Sequence, residues 1–177
     1  MPVSLSRRAH TERVTTDAQG VAERVAAAME EHDAAIRGAG IRLLDVGPGR
    51  ARTALTVEDR HVNGHGIAHG GYLFFLADAA FSFACNSHGT STMAAGADVT
   101  FVRAARLGDD LVAEATERVR SGRSGLYDVT VRVGDEVVAE FRGRSRAVPG
   151  LPAPGAPAPA AATPPPPAVP AAPPQPR

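Results

Sequence analysis

The chain has 177 residues, enough for one domain with a sizeable core plus extensions. Its 19 Lys and Arg balance 19 Asp and Glu, and a formal charge of zero argues against a dedicated nucleic-acid binder, which carries a basic excess. A single cysteine, Cys85, excludes an internal disulfide and fits a reducing cytoplasm, while no apolar run suits a signal peptide or approaches the roughly 18 residues of a membrane span.

Residues 1–15 show no apolar periodicity and are expected to lack order. From Asp17 to Ile36 the apolar Val21, Val25, Ala28, Met29 and Ile36 interleave with Glu23, Arg24, Glu30 and Glu31. That spacing predicts an amphipathic surface helix, capped by Thr16 or Asp17 and ended near Gly38 or Gly40. Ile41–Val46 and Arg50–Val57 flank Gly47-Pro48-Gly49 and read as a hairpin, followed by a polar loop over 58–68. A helix is then predicted from Gly70 to Ser87, with Gly89 placed to stop it. It is apolar on nearly every side, so burial on nearly every side is expected, and Ala77, Ala79, Ala80 and Ala84 keep it thin enough for a sheet to approach. Its polar residues Asp78, Ser82 and Asn86 are spaced four apart and form one stripe. Four strand-like runs follow: Met93–Ala104, Leu111–Arg120, Leu126–Val133 and Glu136–Arg146. Antiparallel strands with one long helix inserted after the first two give an α+β class, a sheet wrapped around a central helix. From Val148 the composition changes: thirteen of the fifteen prolines lie in the last thirty residues. Residues 148–177 are expected to form a disordered, polyproline-like tail, leaving 16–147 as the one folded domain.

The segment His69-Gly70-Gly71 opens the central helix, and Asp78 is that helix's only carboxylate. Bare glycine amides at a helix N-terminus attract negative charge. A carboxylate in an apolar helix is costly without a partner or a task. Together they suggest a hydrolytic site in which amides hold a carbonyl oxygen and the acid handles water. Gly70 and Asp78 are eight residues apart, hence ~12 Å apart along one helix. Both must come within about 3 Å of one reacting group. One helix cannot satisfy both; two helices packed antiparallel across a two-fold axis can, which makes the site composite and the protein an obligate dimer. As a base Asp78 removes a proton from water; as a nucleophile it forms a mixed anhydride, and the sequence leaves both open. His61, His65, His69 and His88 match no metal-ligand spacing, so no metal is expected. Cys85 reads as a small core residue, and Phe74, Phe75, Phe81 and Phe83 fit a core or an aromatic pocket.

The stretch from Asn63 to Ser87, with Gly96–Arg103, Ser121–Val129 and Phe141–Ser145, resembles the hotdog-fold acyl-CoA thioesterases, and within them the phenylacetic-acid-degradation (PaaI-type) subfamily, over roughly residues 20–147. The resemblance implies a hotdog dimer, often paired into a homotetramer, that hydrolyses acyl-CoA, for instance phenylacetyl-CoA or a hydroxylated relative, without a metal or cofactor. Coenzyme A is then part of the substrate. By position, Gly70 or Gly71 supplies the polarising amide, Asp78 of the partner chain is the acid, His69 orients the oxyanion end, and Asn63 holds water or the thioester. Relatives often place Thr after the acid, where this chain has Ala79; Ser82 can supply that hydroxyl. Some relatives also use an Asn in the first helix, where the nearest match is His32. The CoA phosphates can meet the Arg120-Ser121-Gly122-Arg123 loop, or that loop is only a solvated turn; Arg142, Arg144 and Arg146 offer further charge. Two other readings stand beside this one: a hotdog hydratase or dehydratase, whose Pro-rich helix opening is absent, and a non-catalytic acyl-CoA-binding module, which would have lost Asp78.

Overall fold

The computed structural model describes residues 4–154, with side chains from Asp17 onward. Helix α1 runs Ser4–His32 and α2 Ala34–Ala39, followed by strands β1 (Arg42–Gly47) and β2 (Arg50–Thr56), helix α3 (Gly70–Asn86), and strands β3 (Thr92–Phe101), β4 (Asp110–Ser121), β5 (Ser124–Val133) and β6 (Glu136–Ala147). The strands form one antiparallel sheet in the order β1-β2-β4-β5-β6-β3, with α3 lying across its inner face. This is the α+β arrangement of the hotdog fold. Among the described residues no helix is long and apolar enough to cross a membrane.

The first helix departs from expectation in two ways. It starts at Ser4, upstream of Asp17, because residues 3–19 contain neither Pro nor Gly to stop a helix that α1 propagates backward. It also breaks at Asp33, whose carboxylate accepts from Ile36 N at 3.0 Å and caps the short α2, which Gly40 closes at φ 77°. The face buried against the sheet is centred on Ala22, Val25 and Ala26. The expected tail boundary is also too early. Val148 N donates to Ser91 O at 3.0 Å and Ser91 Oγ bonds the Pro152 carbonyl, so the chain stays docked past 147. Residues 155–177 lie outside the described residues.

Helix α3 is tied near its middle and at its C-terminal end. Thr53, fully buried on β2, donates to Leu76 O at 3.1 Å. At the C-terminal end Ser87 Oγ donates to Ala84 O and accepts from Gly49 N. Asn86 clamps the edge strand, donating to Thr92 O at 3.0 Å while its Oδ1 accepts from Thr92 N at 2.9 Å. Between these ties the thin alanine face lets Phe81 and Phe83 reach the sheet, where Phe81 meets Tyr127 and Phe141 edge-on or tilted. Both phenylalanines are core, not pocket.

The approach is closest at Gly143 on β6. A Cβ there would sit 2.7 Å from the Phe81 ring. Gly143→Ala is therefore expected to cost about 1–3 kcal/mol by overpacking, read as a lowered Tm in thermal unfolding. An unchanged Tm would show that this layer has slack.

Burial of α3 is not all-round. Gly71, Phe74, Phe75, Asp78 and Ser82, spaced three or four apart, stay exposed or half-buried, because one sheet covers only one side of a helix. Phe74 keeps 36% of its surface exposed.

Candidate active site

The N-terminal end of α3 is shaped by the loop before it. Val62 bridges Ala68, Asn63 N donates to Ile67 O, and Ala68 N donates to Ala105 O, so the loop forms a small ladder against the chain after β3. Asn63 also folds its own turn, its Oδ1 accepting from His65 N at 2.9 Å. His69 sits at φ −66°, ψ 131° as the cap of α3, and its Nδ1 accepts from Gly71 N at 3.0 Å. That bond separates the two glycines. The Gly71 amide is engaged within the chain, whereas the Gly70 amide has no acceptor among the described residues. Gly70 lines a cleft of about 320 Å³ together with Asn63, Ile67, Leu73, Phe101 and Ala105. A Cβ on Gly70 would meet the far end of the Phe101 ring at 2.9 Å, so any side chain here has to push that exposed ring aside.

Asp78 does not reach that cleft. It lies more than two turns along the same helix, ~12 Å from Gly70, on the uncovered stripe. Burial pushes its carboxyl above the usual aspartate range. Cys85 is pushed up to about 12 by burial first and then by the Asp78 charge, which leaves a protonated, unreactive thiol. Ser82 is half-buried one turn beyond Asp78, and its carbonyl accepts from Asn86 Nδ2 at 3.0 Å. Asn86 is thus consumed by the helix-to-edge clamp, and the accessible polar stripe reduces to Asp78 and Ser82.

The arginine loop lies at the other end of the helix. Ser121 pairs with Ser124 across a two-residue turn, with Gly122 at φ 57°. Arg120, Gly122 and Arg123 line a hollow of about 90 Å³ with Cys85, Tyr127 and Ser145. Since α3 spans ~24 Å from Gly70 to Asn86, one chain keeps this turn away from its own Gly70. Arg142 and Arg144 are not available beside it. They point to the outer face of the sheet and pair with Asp128 at 2.7 Å and Asp98 at 2.5 Å, while Phe141, Gly143 and Ser145 alternate inward; Arg146 is exposed on that outer face too.

Two features of the site were invisible to spacing arguments. One is Phe101, at the end of β3, which forms a wall of the Gly70 cleft. The other is a half-buried network behind the arginine loop, in which Glu117 accepts from Tyr127 OH at 2.8 Å and pairs with His88 at 2.7 Å. Burial alone would raise the Glu117 carboxyl, but the bonds from Tyr127 and His88 outweigh it and hold it below the ordinary range.

Residues 65–140 match the thioesterase superfamily. The Escherichia coli acyl-coenzyme A thioesterase PaaI is 40% identical over 124 residues, which cover 70% of this chain and 89% of that one. The solved structure of E. coli PaaI, from the phenylacetic acid degradation operon, superimposes with a TM-score of 0.72 over 73% of this chain and 95% of its own. A phenylacetic acid degradation protein PaaI from Thermus thermophilus is 34% identical, with a TM-score of 0.64 over 66% of this chain and all of its own. A Streptococcus mutans protein solved with acetyl CoA bound shares the fold at 23% identity and a TM-score of 0.59, with 61% of this chain and 88% of that one covered. At 40% identity over 89% of E. coli PaaI, and with the sheet order and central helix of its solved structure, the chain belongs to the hotdog-fold acyl-CoA thioesterase family, of the PaaI type.

Proposed function

We propose that the protein hydrolyses acyl-CoA thioesters, with an aryl-acetyl group such as phenylacetyl as the preferred acyl part, in a site that two subunits share. The observation that carries this is the rigid separation on α3 of the open Gly70 amide from Asp78, with both on the surface the chain's own sheet leaves uncovered. A two-fold axis that sets Gly70 against the partner subunit's Asp78 passes beside the midpoint of that interval, residue 74. Phe74, there, is the most exposed aromatic of the helix. The same axis brings the partner's arginine loop toward the Asn63 side of the cleft. The outer edge of β3 supports the pairing as well: ten residues of edge strand with Met93 and Phe101 more than half exposed call for cover.

In this arrangement the thioester carbonyl lies against Gly70 N–H, and His69, by holding the Gly71 amide, keeps the first turn in register. The partner's Asp78 acts on the carbonyl carbon. As a base it takes a proton from water while the water oxygen bonds to carbon, the C–S bond breaks, and the CoA thiolate leaves to be protonated. As a nucleophile its own oxygen bonds to carbon and expels the thiolate, and water then cleaves the anhydride. Neither route calls on a metal or a cofactor beyond the CoA of the substrate. Asn63 borders the cleft where water or the thioester enters, Ser82 lies one turn from the acid, and Arg120, Ser121, Gly122 and Arg123 present backbone and guanidinium donors to the CoA phosphates. Pairing of two dimers into a homotetramer rests on the family likeness, and light scattering tests it.

The experiment is a panel of acyl-CoA esters assayed with a thiol reagent. Turnover is expected, with kcat/KM highest for aryl-acetyl esters; binding without thiol release would overturn the enzyme reading. Charge reversal at Arg120 and Arg123 together is expected to raise KM about tenfold, less at high salt, with kcat little changed. An unaltered KM would leave the loop a solvated turn.

A further inference from the structure

We infer that His61 is a positioning residue for the carbonyl-binding end of α3, acting through His69 without touching substrate; the inference rests on the thioesterase reading above. His61 is wholly buried, with 0% of its surface exposed, so no substrate atom reaches its ring. The ring nonetheless satisfies both of its nitrogens. Nδ1 accepts from Glu58 N at 2.9 Å, which puts the proton on Nε2, and Nε2 lies 3.0 Å from the Ala39 carbonyl as its donor. Arg60 Nε–H also points at Nε2 from 3.2 Å, but a neutral imidazole whose Nδ1 accepts from Glu58 N must carry its proton on Nε2. The bond to Ala39 O is therefore the one that forms, and the Arg60 guanidinium turns to Glu58 at 3.1 Å and Gly38 O at 3.2 Å, closing the pocket over the ring. On its other side the imidazole meets Tyr72, in the first turn of α3, with centroids 4.6 Å apart and planes at 64°.

These contacts form one chain of restraint. The bond to Ala39 O crosses from the loop to the end of α2, and so fixes the loop against the body of the protein. The bond to Glu58 N closes only a local turn. The His61 carbonyl then accepts from His69 N at 2.8 Å, His69 Nδ1 accepts from Gly71 N at 3.0 Å, and Tyr72 N donates to His69 O at 2.9 Å. Each step passes the position of the buried ring to the helix start that carries Gly70. A buried imidazole is a costly choice where an apolar side chain would fill the space, unless its two directed bonds are needed.

Two amide substitutions divide the two bonds. His61→Gln places an N–H where Nε2 was and keeps the tether to Ala39. His61→Asn places an oxygen where Nδ1 was, keeps the local turn and loses the tether. In the full-length protein, His61→Asn is expected to lower kcat about 10–100-fold with KM within about threefold, and His61→Gln to recover most of kcat. Amide hydrogen exchange gives a readout that needs no activity. His61→Asn should speed exchange at His69, Gly71 and Tyr72 by about tenfold or more, leaving Val129 and Val131 in the central strand unchanged. Wild-type kcat and exchange in His61→Asn, or equal damage in both variants, would overturn the inference. A wild-type protein that hydrolyses no acyl-CoA would sink the thioesterase reading instead, and the exchange pattern would still decide whether His61 holds the helix start.

Discussion

Asp78→Asn is expected to lower kcat by about 10³-fold or more while the protein folds and binds acyl-CoA as before. The substitution keeps the size and shape of the side chain and removes both the base and the nucleophile, so either route fails at the same step. Two further signatures follow from the position of the carboxyl. Burial raises its pKa above 3.8, and the reactive form is the ionised one, so kcat/KM should fall on an acid limb displaced upward from an ordinary aspartate. The same shift has a stability sign. A carboxyl whose folded pKa exceeds its unfolded one binds its proton more tightly when folded, so its favourable contribution is complete at low pH and is lost as pH rises through the folded pKa. The neutral asparagine escapes that loss, and its Tm near pH 7–8 should exceed wild type by ~2–4 °C, the gap closing toward acid. A variant less stable than wild type at neutral pH would mean that the acid is held by a stabilising partner.

Gly70→Pro should cost about 10²–10³ in kcat, for the loss of a single N–H. Proline is well suited to this position: Gly70 is the first helical residue, where no intrahelical bond is forfeited. His69 before it already has φ −66° and ψ 131°, the extended region that a following proline demands. The added ring carbons must displace only the far end of Phe101, whose Cζ lies 2.9 Å from the Cβ position. Gly70→Pro combined with Phe101→Ala relieves that crowding without restoring the donor. If the double variant regains wild-type kcat, the defect was steric and the Gly70 amide is not the carbonyl donor.

Most of the fold was legible because its signals are local. Alternation in Leu126–Val133 and Val137–Arg144 placed strands, the glycines at 49, 122 and 134 fell at turns, and the alanine-rich run from Gly70 marked the helix that a sheet must cover. The Asp33 cap was present in the sequence but masked by apolar spacing that continues through to Ile36, where a broken helix and an unbroken one look alike. What stayed hidden depends on sheet order. β3 crosses to the far side of β6, which carries Phe101 over Gly70, and α3 lies across β4 so that its end brings His88 to Glu117. No spacing along the chain encodes those neighbours. The choice between Gly70 and Gly71 was hidden for a related reason, since it turns on one side-chain bond from His69.

Mixing two inactive proteins tests the shared site most directly. Asp78→Asn keeps an intact Gly70 end, and Gly70→Pro keeps an intact acid. Unfolded together and refolded, they form mixed dimers in which one of the two pockets joins a good amide from one subunit to a good acid from the other. Random pairing should then restore about one quarter of wild-type activity, with either variant refolded alone staying at about one per cent or less. A mixture as dead as its components would place both groups of each working site on the same chain and contradict the two-subunit pocket.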